Sequence, residues 1–314
     1  MAAAFVFPGQ GSQALGMGKA LAEAFPVAKA VFDEVDAALG EKLSAIMWEG
    51  PADKLTLTEN AQPALMAVSA AVTRVLQAEA GLDLKRDVAF VAGHSLGEYS
   101  ALAAAGAFSV SDAAWLLRTR GDAMQKAVPV GEGAMAALIG LSFEDAATAA
   151  REGAQDQICQ AANDNGGGQV VISGNKAAVE RACEIAKAKG AKRAMLLQVS
   201  APFHCALMQP AADVMADALS KVTVNAPAVP VVANVMARPL SDPQDIVQAL
   251  VAQVTGTVRW RECVEYMVQH GVAEFYELGA GKVLTGLVKR IAGGATGTAI
   301  GTPEDIAAYK ASRS

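Results

Sequence analysis

The tightest constraint in this sequence is a short uncharged run that stops at a glycine-flanked serine. Residues 88–92 are apolar and of strand length, so they read as a buried strand. The run passes directly into Gly93-His94-Ser95-Leu96-Gly97, and residues 96–105 read as a helix. A strand, a sharp turn and a helix in that order would lift the Ser95 hydroxyl clear of a sheet, with glycines leaving room for the turn. Residues 3–7 form a second buried run, stopped by Pro8-Gly9. Helical patterns follow at 17–24, 27–39, 61–79 and 112–127, the last opened by Ser109 with Asp112. Beyond residue 199 the pattern predicts helix 206–220, strand 229–234, helices 243–254 and 259–270, and strand 273–277. The loop Gly279-Ala280-Gly281-Lys282 then opens the last long helix. Strands alternating with helices predict an α/β fold with a parallel sheet covered on both faces.

Residues 133–198 keep a different rhythm. Strand 134–139, helix 143–151, strands 157–162 and 169–173, helix 176–189 and strand 193–199 follow one another. That βαββαβ order is ferredoxin-like. It predicts a small domain, 129–198, inserted into a larger one made of 1–128 and 199–314.

Composition narrows the function classes. Hydrophobic residues make up 53% and charged residues 18%, enough apolar material for a sizeable core. The net charge of −6 argues against nucleic acid, which needs a concentrated basic surface. Cysteines 159, 183, 205 and 263 form no close metal-type pair, so buried, reduced thiols and no metal are expected. The first residues lack the basic region and long apolar run of a signal peptide, and no stretch reads as a membrane span. The expectation is a cytoplasmic protein.

A serine hydroxyl needs a base. Of the three histidines, His94 adjoins Ser95, but side chains diverge at a sharp turn, so it reads as a packed support. His270 precedes Gly271 and reads as a helix cap. His204, in the loop Ser200-Ala201-Pro202-Phe203-His204, is the candidate base by elimination. No acidic residue presents itself as its partner. In the loop after the first strand, the N–H of Gln10 could join the N–H of Leu96 as an oxyanion hole, or the loop is an ordinary βα turn. Arg118 and Arg120 lie two apart on one helix, so at most one points inward, and the residues alone favour the surface for both. A serine esterase or thioesterase shares the elbow, and a scaffold with a dead site is the non-enzymatic rival.

Several segments together resemble the malonyl-CoA:acyl carrier protein transacylases, relatives of polyketide synthase acyltransferase domains. They are Phe7-Pro8-Gly9-Gln10-Gly11-Ser12-Gln13, Gln62-Pro63-Ala64-Leu65, the run 93–101, Arg120-Gly121-Asp122-Ala123-Met124-Gln125, the run 168–174, His204-Cys205-Ala206-Leu207-Met208, Val264-Glu265-Tyr266-Met267 and Gly281-Lys282-Val283-Leu284. The resemblance covers residues 5–290. It implies a hydrolase-like α/β core with an inserted ferredoxin-like domain, and malonyl transfer in fatty-acid synthesis, or in a related polyketide pathway. It implies Ser95 as nucleophile, His204 as base, and Gln10 and Leu96 as the oxyanion hole. Arg120 would hold the malonyl carboxylate, and Gln253 matches a glutamine whose carbonyl orients the histidine. Gln62 and Asn163 match pocket positions, so Arg120, Gln253, Gln62 and Asn163 form the expected substrate-binding group. Phe203 matches the malonyl-selecting members, whereas residues 254–260 lack the family's Asn-Pro. The implied partners are a coenzyme A thioester and phosphopantetheinylated acyl carrier protein, with no cofactor and a monomer as the expected state. For an acidic carrier, Lys187, Lys189, Lys192 and Arg193, or Lys282, Lys289 and Arg290, are candidate contacts or ordinary solvated charges.

Overall fold

A computed structural model describes residues 2–313. Its larger sheet has six strands: β1 (Ala2–Phe7), β2 (Phe90–Gly93), β7 (Val231–Ala233), β8 (Arg238–Leu240), β9 (Val272–Leu278) and β10 (Thr296–Ile300). They lie in the order β10-β9-β1-β2-β7-β8. All neighbours are parallel except β7 and β8, which are antiparallel. Successive side chains of a strand face opposite ways, so a central strand must be apolar throughout. β1 meets that demand. Ala3, Phe5 and Phe7 enter one core, while Ala4 and Val6 enter another on the opposite face. Helices Pro26–Leu39, Thr58–Ala80 and Val110–Lys126 supply the first core. Helices Trp260–Gln269 and Val283–Ile291 cover the second.

The smaller sheet is antiparallel, built from β3 (Gly133–Ile139), β4 (Cys159–Asp164), β5 (Gln169–Asn175) and β6 (Arg193–Leu196) in the order β4-β5-β3-β6. Helices Phe143–Ala154 and Lys176–Ala188 pack on it around a separate core. β4 also reaches the larger body: Val258 donates to the Ala162 carbonyl at 2.8 Å, and Asp164 donates to the Val258 carbonyl at 2.9 Å. All four cysteines are buried and unpaired.

The element pattern departs from expectation in four places. β6 ends at Leu196, not residue 199, because Val199 turns back to donate to the Leu197 carbonyl at 3.0 Å. The helix expected at 206–220 starts as a 3-10 turn, Ala206–Met208, before Gln209–Leu219. Helix Val283–Ile291 is not the last: β10 and helix Pro303–Ser312 follow it. Three short helices, Leu43–Glu49, Ala52–Thr56 and Leu84–Asp87, and strand β8 are additions.

One close packing point fixes a helix that matters below. Where helices Thr58–Ala80 and Val110–Lys126 meet, a Cβ on Gly121 would lie 2.6 Å from the Cα of Glu59 and 2.7 Å from the Thr58 carbonyl oxygen. Both are backbone atoms, so neither can rotate away. Gly121→Ala is therefore expected to prise the helices apart and lower stability by about 1–3 kcal/mol. The midpoint of urea unfolding reads this directly, and an unmoved midpoint would show that the helices yield without strain.

Candidate active site

The turn after β2 is a steric necessity before it is a site. A Cβ on Gly93 would stand 1.9 Å from the Gly97 carbonyl group, and one on Gly97 would stand 2.2 Å from the Phe7 carbonyl oxygen. Strands β1 and β2 and the start of helix Gly97–Ala104 thus meet at backbone distance. Ser95, between them, takes φ +54°, the left-handed region that non-glycine residues occupy at a cost of about 1–3 kcal/mol. Asn234, just beyond β7, holds it there. Its Oδ1 accepts the Ser95 N–H at 2.8 Å, and its Nδ2 donates to the Gly93 carbonyl at 2.7 Å.

His204 comes to this turn from far along the chain, itself at φ +58°. Its Nε2 lies 2.7 Å from Ser95 Oγ, and its Nδ1 lies 2.9 Å from the Gln253 carbonyl oxygen. A carbonyl can only accept, so Nδ1 carries the proton and Nε2 presents its lone pair to the hydroxyl. Burial first, and the neighbouring Arg120 cation second, push the imidazole down to about 3. At neutral pH it is an uncharged base.

Arg120 is 1% exposed, which corrects the surface placement that the residues alone favoured. Arg118 takes the other direction, bonded to Asn60 at 2.7 Å and paired with Glu41. The Arg120 guanidinium donates from Nη1 to Gln62 Oε1 at 2.7 Å. From Nη2 it donates to Gln253 Oε1 at 2.9 Å and to Ser95 Oγ at 3.1 Å. Each acceptor is neutral, and Nε has no partner. A buried, under-satisfied cation beside a hydroxyl and an uncharged imidazole has the chemistry to receive an anion.

These groups form the floor of a cleft of about 740 Å³ between the two sheets. Gln10, Leu96, Gln62 and Asn163 line it with Ser95, His204 and Arg120. Gln10 is anchored through its Oε1, which accepts the Thr58 hydroxyl at 2.6 Å. Helix Gly97–Ala104 starts directly after Leu96, and the Gly97 and Glu98 N–H groups bond back to the His94 and Ser95 carbonyls at 3.0 Å. Gln253, grouped at first with the substrate-binding positions, is fully buried below the floor and is absent from the lining; it bonds to Arg120, His204, Glu98, Asn234 and the Ser95 carbonyl. His94 is bonded to Asn165 at 2.9 Å and packs near Trp260, while His270 caps helix Trp260–Gln269 against the Tyr266 carbonyl.

Sequence reasoning missed three residues here. Asn234 and Asn165 carry no signal in a single sequence. Glu98 does: it is the one charge in the uncharged stretch after the elbow, a helical turn from Ser95. It is 1% exposed, and burial pushes its carboxyl up to about 7. Among the described residues, no group of three His, Cys, Asp or Glu could hold a metal ion, and no helix is long and apolar enough to cross a membrane.

Comparison with known proteins accords with this geometry. The family model described as "Acyl transferase domain" matches residues 4–297. The malonyl CoA-acyl carrier protein transacylase of Escherichia coli (strain K12) is 50% identical over 305 residues, 97% of either chain. The crystal structure of acyl-carrier-protein-S-malonyltransferase from Bartonella henselae is 60% identical, with a TM-score of 0.97 over 100% of this chain and 99% of that one. A malonyl-transacylase solved in complex with its type II polyketide acyl-carrier protein is 46% identical, with a TM-score of 0.95 over 99% and 100% of the two chains. A serine elbow, a neutral histidine and a buried arginine on this frame have one consistent assignment: the chain belongs to the acyl transferase domain family, among its malonyl-CoA:acyl carrier protein transacylases.

Proposed function

We propose that this chain moves a malonyl group from coenzyme A to the phosphopantetheine thiol of acyl carrier protein through an ester on Ser95, supplying fatty-acid synthesis. The observation that carries the reading is the Ser95 hydroxyl held 2.7 Å from a neutral imidazole and 3.1 Å from a buried guanidinium. The thioester enters the cleft with its free carboxylate on Arg120. Ser95 Oγ attacks the carbonyl carbon while His204 Nε2 takes the hydroxyl proton. The N–H groups of Gln10 and Leu96 receive the oxyanion. Collapse breaks the C–S bond, and the imidazolium returns its proton to the departing thiolate. The carrier thiol then gives its proton to Nε2 and attacks the ester, and Ser95 leaves with that proton. Only these side chains and two substrates are needed, so the reading includes no cofactor or metal. It also includes a monomer working in the cytoplasm.

The carrier would approach the cleft mouth, where Arg290 lines the opening on helix Val283–Ile291 with Lys289 beside it and Lys282 preceding the helix. Lys187 and Lys189 are weaker candidates, since they are already paired with Glu184 and Glu152. The neighbour solved with a polyketide carrier favours a carrier of that kind as the second reading.

Three outcomes test the proposal. Intact-protein mass spectrometry after malonyl-CoA should show a malonyl adduct that Ser95→Ala abolishes; an adduct surviving in the variant would move the nucleophile elsewhere. Arg120→Ala should lower the ratio of malonyl to acetyl loading roughly 10- to 100-fold, the worth of a charged hydrogen bond of about 1.5–3 kcal/mol. Equal losses for both acyl groups would remove the carboxylate from Arg120. The third concerns pH. His204 is held below its ordinary value, so its base form persists as pH falls through 6.5 and is lost only on approach to about 3. The kcat/KM for loading, which reports the free enzyme, should therefore show its histidine-dependent acid limb well below pH 6.5, and a limb at 6.5 would mean an ordinary, solvated imidazole.

A further inference from the structure

The transfer leaves the buried carboxyl of Glu98 without a task. Glu98 Oε2 accepts the backbone N–H of Asn234 at 2.9 Å and the Nε2–H of Gln253 at 3.0 Å. The other end of that same amide, Gln253 Oε1, accepts from Arg120 Nη2 at 2.9 Å. A side-chain amide thus stands between a buried cation and a buried carboxyl. Its oxygen faces the positive group and its N–H the negative one, so each charge polarises the amide in the direction that favours the other. Arg120 touches no carboxylate, since its remaining bonds go to Gln62 and Ser95. A guanidinium buried with neutral contacts alone is strongly disfavoured unless a nearby negative charge offsets it.

We propose that Glu98 is the resting counter-ion of Arg120, acting through the Gln253 amide, and that it sets how hard the substrate carboxylate must compete for that cation. The inference rests on the reading of Arg120 as the receiver of the acyl carboxylate. In the empty cleft the negative charge on Glu98 steadies Arg120. When a carboxylate reaches Arg120 the two anions share one cation, Glu98 loses its attraction, and it binds a proton. The titratable and charged groups that face Glu98 are Arg120 from helix Val110–Lys126, Tyr99 from its own helix and Cys263 from helix Trp260–Gln269. Burial raises Tyr99 and Cys263 well above their ordinary values, so both stay neutral and Arg120 is the charge that acts. Burial also brings Glu98 to about 7, where the exchange can be followed. Glu98 is a positioning residue, since it touches no reacting atom.

The sign follows from linkage. A carboxylate on Arg120 removes the influence that lowers Glu98, so its pKa rises on binding and protons are taken up. Affinity for a malonyl thioester should then increase as pH falls from 8 to 6, by about three- to tenfold, below the limit of tenfold per pH unit for one linked proton.

Calorimetry on the Ser95→Ala protein, which cannot be acylated, measures this. Malonyl-CoA is titrated at pH 6, 7 and 8 in two buffers of different ionisation heat. Acetyl-CoA carries the same phosphates and serves as the control. The expected result is uptake of a fraction of a proton at pH 7 with malonyl-CoA beyond any seen with acetyl-CoA, and the stated gain in affinity. Adding Glu98→Gln keeps an oxygen for both N–H donors and removes only the charge. The pH dependence should flatten, with affinity at pH 8 rising to the value at pH 6. An unchanged pH dependence in that double variant, or equal proton uptake with the two thioesters, would reduce Glu98 to a plain hydrogen-bond acceptor. If Glu98→Gln does not fold, the comparison of the two thioesters decides alone. An Arg120→Ala arm separates the two levels. If it leaves malonyl affinity intact, the carboxylate reading itself fails; if it weakens affinity while Glu98→Gln changes nothing, only the counter-ion fails.

Discussion

Ser95 keeps a left-handed backbone between a strand and a helix, and a residue with a Cβ holds that pose only where its surroundings over-determine it. Two constraints do so here. Gly93 and Gly97 let β2, β1 and the following helix approach at distances no side chain would permit. The amide of Asn234 then spans the turn, bonded to the peptide groups on either side of His94. Asn234 can reach because β7 lies next to β2, with Val231 opposite Val91. The parallel sheet order is therefore part of the serine's geometry. Asn234 also donates to Glu98, and Glu98 and Asn234 both accept from Gln253. Gln253 in turn fixes Arg120 with its side chain and His204 with its carbonyl. Ser95, His204 and Arg120 are thus tied to one another below the cleft floor.

How much of this was legible from the chain follows from where the forces lie. The elbow could be read because its cause is local: an apolar strand, two glycines and a helix within one stretch. The small sheet could be read because its two helices are amphipathic and short apolar runs mark the strands between and around them. His204 stands out only because the chain has three histidines, of which His94 sits at the sharp turn itself and His270 at a helix end. Arg120 could not be assigned from its own helix. Its inward direction is set by Gly121 packing against Glu59 and by acceptors on two other helices, Gln62 and Gln253. Strand β10 escaped notice for a related reason. It lies at the sheet edge, pairs only with β9, and leaves Thr296, Gly297 and Thr298 exposed, so no apolar run marks it. Gln253 was legible in its role as the histidine's carbonyl partner through family resemblance alone; its side-chain contacts with Arg120, Glu98 and Asn234 exist only in three dimensions.

The charge arrangement explains why a histidine without a carboxylate partner is adequate here. In a Ser-His-Asp triad the acid stabilises the imidazolium formed during attack. His204 is buried with a cation nearby, and both conditions keep it unprotonated at rest, while the neutral Gln253 carbonyl on Nδ1 only partly favours the charged form. Such an imidazole is a weak base in the empty site. The substrate changes this. In the proposed reaction a carboxylate on Arg120 would cancel the charge that opposes protonation of His204, and the developing oxyanion would add a second negative centre beside Ser95. The imidazole would then strengthen as a base with an anionic acyl group in place and gain less with an uncharged one. Selectivity would then arise twice from one cation, first in binding and again in the proton transfer, with no acidic residue placed against the imidazole.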